Sequence, residues 1–248
     1  SGTGNTRHCI TKLLSLIDSS ADCIPIESSD IIDRIAEEDV IYLAYPTQFS
    51  NAPFMVRDMI KKNTSLWDGK KVFCLTTMGA FSGDGTGCTA RILEKCGAQI
   101  LGGLQVRMPD SVCDNKMLKK TLDENRAIVS RADRKIEEAA MSIRSGIYPT
   151  EGLSVFAHAA GLIGQRLWFY SKTTGYSDKL KVSDACTGCG KCARGCPLGN
   201  IEIKDGKAVP HGQCTMCYRC ISTCPKKALT LLGNKVYEQC RYERYASE

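Results

Sequence analysis

The chain has 248 residues, a formal net charge of +6 at pH 7, 43% hydrophobic and 24% charged residues, and 15 cysteines. That length suits two modest domains with cores of their own, and the composition is ordinary for a globular protein. No stretch approaches the ~18 unbroken apolar residues of a membrane span, and nothing at the start reads as a signal peptide, so neither a membrane-embedded nor a secreted, disulfide-built protein is expected. Eight cysteines fall in two regular groups and seven are scattered through apolar segments, which favours a reducing cytoplasm.

The chain opens with Ser1-Gly2-Thr3-Gly4-Asn5-Thr6, followed by Cys9, Ile10, Leu13, Leu14 and Ile17 at helical spacing. A glycine- and hydroxyl-bearing loop that enters a helix is a phosphate cradle. Its N–H groups, the hydroxyls of Ser1, Thr3 and Thr6 and the positive helix end all face the anion. The lysine of a Walker loop is absent, which argues against a nucleoside triphosphate; a loop that only caps its helix is the plainer alternative. Apolar runs and helical stripes then alternate. Residues 23–26 are expected as strand, 31–36 as helix, 40–45 as buried strand, 54–62 as helix, 71–76 as strand, 86–96 as helix and 100–106 as strand. This alternation predicts an α/β fold, a doubly wound parallel sheet with helices on both faces. A last helix over 115–144 carries Leu118, Leu122, Val129, Ala132, Ile136 and Ile143 on one stripe, its charges forming a solvated face. Ligands of such sheets lie beyond the carboxyl ends of the strands, which gathers the opening loop, residues 46–53 and residues 77–87 in one place.

Residues 147–178 form the join, with an apolar piece over 153–170 interrupted by Gly161, Gly164, Gln165 and Arg166. It is expected as a helix that packs the two halves together, with a lid or docking face as the sharper alternative. His158 and Arg166 lie on it but are not expected to be catalysts. Beyond it, Cys186, Cys189, Cys192 and Cys196-Pro197 are spaced two, two and three apart. Cys214, Cys217, Cys220 and Cys224-Pro225 repeat the run. This spacing is the known pattern of two-cluster bacterial ferredoxins, in which three thiolates face one cubane and the fourth, redirected by proline, reaches the other. Cys186, Cys189, Cys192 and Cys224 are therefore expected to hold one [4Fe-4S] cluster, and Cys214, Cys217, Cys220 and Cys196 the second. Structural zinc commonly uses two separated Cys-x-x-Cys pairs and fits two such triplets poorly. Asp205-Gly206 predicts a hairpin between short strands carrying Ile201 and Ile203. Cys240 is expected to be a spectator thiol, His211 a loop residue, and Cys9, Cys23, Cys74, Cys88, Cys96 and Cys113 small buried apolar groups.

With these residues in view, positions 1–146 resemble a flavodoxin, and the whole chain resembles the fused flavodoxin/ferredoxin proteins of anaerobic bacteria and archaea, with the ferredoxin-like part over 179–248. The resemblance implies FMN. Ser1, Gly2, Thr3, Gly4, Asn5 and Thr6 match the FMN-phosphate loop. Pro46, Thr47, Gln48 and Phe49 after Tyr45, and Thr77, Met78, Gly79 and Phe81, stand where two loops bracket the flavin ring. Phe49 and Phe81 are the stacking candidates, with Tyr45 and Met78 behind them. The family also has a buried strand directly before the phosphate loop. An upstream strand of about five to eight apolar residues is therefore expected.

Two clusters and an FMN phosphate would bring the +6 to about zero, which removes the charge argument for nucleic acid. The expectation is an electron-transfer protein that interconverts one- and two-electron steps and works with redox protein partners. The alternatives are a flavin-dependent reductase fed by the clusters, and an iron–sulfur module whose α/β part is only a docking scaffold.

Overall fold

The structure is a computed structural model that describes residues 2–161, 163, 175–176 and 179–246. Its centre is a parallel sheet of β1 (Val40–Pro46), β2 (Lys71–Met78) and β3 (Gln99–Arg107), in the order β1-β2-β3. Val40 pairs with Lys71 and Lys71 with Gln99 at the amino ends of the strands. Parallel neighbours require crossovers, and helices α3 (Phe54–Lys62) and α4 (Gly85–Glu94) supply them. Alternate side chains of β2 feed two cores. Phe73 and Leu75 meet α1 (Asn5–Ile17) and α5 (Leu122–Arg144) on one face, while Val72 and Cys74 meet Ile60, Trp67 and Leu93 on the other. The expected doubly wound parallel sheet is thus present, and each fully buried aliphatic or aromatic side chain contributes about 1.5–3 kcal/mol.

Two local expectations differ from the structure. Residues 23–26 join no ladder; Pro25 lacks an N–H for pairing, and β1 is hydrogen-bonded only to β2 among the described strands. The long helix begins at Leu122 instead of 115, because Thr121 and Glu124 form a reciprocal capping box. The segment before it is a 3-10 turn (Lys116–Leu118) capped by Asn115, which leaves Leu118 and Leu122 largely exposed. In the join, helix α6 (Val155–Gly161) is present, while Arg166 and most of the remaining apolar piece lie outside the described residues.

The carboxy-terminal region has two small antiparallel ladders. One pairs β4 (Lys181–Val182) with β7 (Leu229–Thr230); the other is the expected hairpin of β5 (Ile201–Lys204) and β6 (Lys207–Pro210). Asp205 and Gly206 both have positive φ, the requirement of a two-residue primed turn. Short helices α7 (Lys191–Gly195) and α8 (Arg219–Thr223) complete it.

Asp114, in the loop after β3, fastens this region to the sheet. It is 2% exposed. Its Oδ2 accepts the backbone N–H groups of Leu231, Leu232 and Gly233 at 2.6, 3.0 and 3.1 Å, and Oδ1 accepts the Tyr218 hydroxyl at 3.1 Å. The tail returns as well. In α9 (Tyr242–Tyr245) the Tyr242 N–H donates to the Thr3 carbonyl at 2.8 Å, its ring stacks on His8 at 4.0 Å, and Tyr245 enters the core between α1 and α5.

Replacing Asp114 with alanine strands three backbone N–H groups and a tyrosine hydroxyl in a buried setting. A loss of about 3 kcal/mol or more is expected, read as a lower denaturation midpoint. A change below about 1 kcal/mol would show that the carboxylate does not carry the junction.

Candidate functional site

The two cysteine runs fold as structural copies. Gly188 and Gly190 in the first and Met216 and Tyr218 in the second all have φ between 55° and 74°, and Gly199 and Lys227, three residues after the fourth cysteine of each run, also have positive φ. Such reversals turn successive cysteines toward one centre. Cys196, Cys214, Cys217 and Cys220 line a common cavity with Pro197, Ile201, Ile221 and Leu231. Burial pushes the Cys214 thiol up to about 11, with the Cys217 and Cys196 thiols adding to the effect. Burial likewise raises Cys192, to which Cys186 and Cys224 add. Cys196 of the first run thus lies with the second run's triplet, and Cys224 of the second run lies near Cys186 and Cys192.

Four thiols around a cavity suit four irons with one thiolate each. A single structural zinc would need four ligands closed around one ion, with sulfurs at about 2.3 Å. Thiols raised by burial give up their protons when a metal binds, so metal binding and folding of such a site are coupled. Four sulfurs also accept backbone N–H groups, Cys186 from Ala208, Cys196 from Asn200, Cys214 from Met216 and Cys224 from Ala228, at 3.3–3.4 Å.

The three loops at the carboxyl ends of the strands do converge. Gly4, at φ 93°, precedes α1 with no side-chain cap, so the N–H groups of the first helical turn have no acceptor within the helix. Thr6 Oγ1 lies 2.8 Å from Thr77 Oγ1, Thr3 Oγ1 lies 3.0 Å from Ser111 Oγ, and Asn5 Nδ2 donates to the Pro109 carbonyl at 2.8 Å. Asn5 Oδ1 is buried with no hydrogen-bond partner. As an acceptor it wants a hydroxyl donor, such as the ribityl chain of FMN offers, and not a phosphate oxygen. The Thr47 N–H donates to the Thr77 carbonyl at 2.7 Å, and Thr47 and Ser82 hydroxyls lie 3.0 Å apart, joining the second and third loops.

Gln48 and Asn51 close a tight turn by two reciprocal backbone bonds. Its central residues, Phe49 and Ser50, have φ of 49° and 56°, a primed turn built without glycine at a cost of about 1–2 kcal/mol per residue. Phe49, at the tip of that turn, and Met78 are half-buried, and Phe81 is exposed, all at the mouth of the loops. Gly79 packs so closely on Asp110 that an added Cβ would lie 2.5 Å from its carboxylate. Pro46 ends β1. Tyr45, expected behind the stacking residues, is instead 1% exposed in the core, where its hydroxyl donates to the Gly85 carbonyl at 3.0 Å. Ser1 lies outside the described residues.

What the sequence did not reveal is the contact between loops and cysteines. A Cβ on Gly2 would sit 1.7 Å from the Cys217 carbonyl oxygen, so only glycine fits there. Gln48 Nε2 donates to the Thr215 carbonyl at 2.7 Å, and Arg219 pairs with Glu27. Burial, the largest single influence, opposes ionisation of Glu27, but the Arg219 hydrogen bond and charge together with a backbone hydrogen bond outweigh it and hold the carboxyl below its ordinary value.

Cys9, Cys74 and Cys113 are buried as expected, whereas Cys23 is exposed and Cys88 and Cys96 are half-buried. Cys23 sits in the irregular segment that was expected to be a strand, which removes the neighbour that would cover it. Cys240 is buried beside Cys113, and Lys119 Nζ donates to its sulfur at 2.9 Å. The Cys113 hydrogen bond and the Lys119 ammonium outweigh burial and lower the Cys240 thiol to about 7, while Cys113 is raised.

A family model for a 4Fe-4S dicluster domain matches residues 179–231. Over 62 residues the sequence is 40% identical to one subunit of an ion-translocating oxidoreductase complex from Methanosarcina acetivorans, covering 25% of this chain and 24% of that relative. Over 52 residues it is 36% identical to a ferredoxin from Methanothermococcus thermolithotrophicus, covering 19% of this chain and 87% of that protein. This chain thus spans about a quarter of the length of the oxidoreductase subunit. Among solved structures it is similar to two-electron reduced flavodoxin from Megasphaera elsdenii, at 24% identity over 56% of this chain and 93% of that one, with a TM-score of 0.41. It is also similar to an FMN-bound flavodoxin from Fusobacterium nucleatum, at 15% identity, 59% and 94% coverage and a TM-score of 0.40. Among the described residues no helix is long and apolar enough to cross a membrane.

The depressed Cys240 thiol couples stability to pH. Its ordinary value is 9.0 and its folded value about 7. A depressed acid stabilises the fold fully above its unfolded value, and that contribution is lost as pH falls through the folded one. Stability should therefore rise from pH 7 to 9 in the native protein and stay flatter in Cys240→Ala, as measured by denaturant titration at each pH. Equal slopes for the two proteins would contradict a Cys240 thiolate.

Proposed function

This chain belongs to the ferredoxin family through its carboxy-terminal 4Fe-4S dicluster domain, and on that premise we propose that it is an electron-transfer protein carrying two [4Fe-4S] clusters and one FMN. Cys186, Cys189, Cys192 and Cys224 hold one cluster, and Cys196, Cys214, Cys217 and Cys220 the other. FMN sits over the opening loop, with Thr3, Gly4, Asn5 and Thr6 at its phosphate and ribityl end and the loops of Thr47 to Phe49 and Thr77 to Phe81 beside its ring. The bound groups supply one-electron steps at iron and one- or two-electron steps at the flavin.

The chain's own contribution is placement and tuning. Backbone N–H groups donate to four of the cysteine sulfurs, which favours the more negative, reduced state. Apolar Ile201, Ile221, Leu229 and Leu231 keep water from the cavity. Gln48 holds the flavin loop to the cysteine loop. The observation that carries the reading is the crossed arrangement of the cysteines, packed against a loop whose helix end has no side-chain cap. Redox proteins are the partners; nothing in the charge calls for nucleic acid.

Anaerobic purification should yield about eight irons, eight sulfides and one flavin per chain. Thr6→Ala should weaken FMN binding about tenfold, the effect of one hydrogen bond of about 1.4 kcal/mol, without altering the iron content. Eight irons with no flavin would defeat the FMN assignment, and fewer than about six the two-cluster assignment.

A further inference from the structure

The two cysteine sites share a backbone but not an environment, and this gives the electron path a direction in space. We infer that the site of Cys196, Cys214, Cys217 and Cys220 is the flavin-side relay, and that the site of Cys186, Cys189, Cys192 and Cys224 is the outward port where a redox partner delivers or collects electrons. The inference rests on the cofactors proposed above and adds their order.

Residues 215–219, the turn that presents the second triplet, meet the α/β domain at nearly every position. Thr215 and Met216 carbonyls accept from Gln48 Nε2 at 2.7 and 3.4 Å. The Cys217 carbonyl lies on Gly2, the Tyr218 hydroxyl donates to Asp114 at 3.1 Å, and Arg219 pairs with Glu27. Gly2 and Gln48 belong to two of the three loops that gather at the candidate flavin site. Thr215 Oγ1, like Asn5 Oδ1, is buried with no hydrogen-bond partner among the described residues.

The equivalent turn of the first triplet faces water. Ala185, Thr187, Cys189 and Lys191 are exposed. Among the described residues, the hydrogen bonds around it stay within the same domain, from Arg194 Nη2 to the Cys189 carbonyl at 3.3 Å and from Lys207 to Asp184 at 2.7 Å. The side chains follow the same division. Where the outer copy keeps Gly188 and Gly190, the inner copy places Met216 and Tyr218 in the same left-handed conformation, which L side chains adopt only under backbone strain. Tyr218 uses its side chain to reach Asp114. An exposed thiolate turn lets a partner approach its cluster closely, whereas the inner turn is already occupied by this chain's own loops.

Placement predicts which site senses the flavin. A cluster's potential responds to nearby charge and to burial, and charge effects fade quickly through solvent. Removing and restoring FMN should move the midpoint potential of the inner cluster and leave the outer one in place. The test is an anaerobic redox titration of the full-length holoprotein, followed by low-temperature electron paramagnetic resonance, with irons and flavin counted first. Cys189→Ser, which changes or deletes the outer cluster's signal, identifies that signal. Flavin removal is expected to move the other one. The inference is overturned if flavin removal moves the signal that Cys189→Ser alters, or moves neither.

Should the variant not assemble, native protein exposed briefly to a hydrophilic iron chelator makes the same assignment. The signal lost first is the outer cluster's, and it must be the one indifferent to flavin; the reverse order overturns the proposal. A preparation with clusters but no flavin sinks the cofactor reading itself, whereas a full cofactor complement with the wrong assignment sinks only the order.

Discussion

The buried carboxylate of Asp114 fixes how the two halves of this chain meet. A carboxylate removed from water is costly unless its lone pairs are filled, and here all four donors come from the far side of the junction, three backbone N–H groups of residues 231–233 and the Tyr218 hydroxyl. That arrangement is satisfied in one relative orientation of the two halves. The Glu27–Arg219 pair, partly exposed on both partners, adds about 1 kcal/mol at most. Gly2 on Cys217 and Gln48 on Thr215 depend on the same orientation. They are short-range contacts, one steric and one hydrogen-bonded, with no slack to absorb a shift of an ångström or two.

Strain in the second cysteine run is intelligible only from across that junction. Within the run, glycine would serve better at positions 216, 218 and 227, as it does at 188, 190 and 199 of the first run. Local propensity therefore opposes the observed residues by about 1 kcal/mol each. Tyr218 recovers this through a nearly complete burial and its bond to Asp114, an interaction between residues over a hundred positions apart in sequence. The primed turn at Phe49 and Ser50 is a second case. It is strained where a cofactor is expected, as functional loops often are, and its neighbour Gln48 ties it to the cysteine loop.

This division between local and distant causes explains what the sequence revealed. The cysteine runs were legible because metal ligation fixes spacing within a few residues. The strands of the sheet were legible because burial on both faces leaves continuous apolar runs, and the hairpin because Asp-Gly takes positive φ at both positions. The start of the long helix was misplaced for a recoverable reason, since Thr121 and Glu124 spell a capping box. Residues 23–26 looked like a strand, although Pro25 argued against pairing. Tyr45 is expected near a ligand because the loop that follows it is, yet strand alternation points it into the core. No local signal marks Asp114, Gln48 or the returning tail with Tyr242 and Tyr245. Each acts through a partner far along the chain, and a charged, an amide or an aromatic residue in a loop has many possible uses.

The repeat makes two sites alike, and the junction makes them different. In each site two sulfurs accept backbone N–H groups at 3.3–3.4 Å, Cys186 and Cys224 in the outer one and Cys196 and Cys214 in the inner one, and Cys192 and Cys217 each have a further backbone hydrogen bond. Sulfur hydrogen bonding is thus balanced between them and is not what separates their potentials. Burial and nearby charge remain. Reduction adds negative charge, which a water-facing turn accommodates more easily than one enclosed by another domain. The Arg219 guanidinium beside Cys217 works in the opposite sense at the inner site, but it is largely neutralised by Glu27. For the two clusters proposed here, enclosure then sets the order, with the inner one the harder to reduce and the outer one the easier. Two copies of one cysteine pattern acquire distinct surroundings because one of them is covered by the α/β domain.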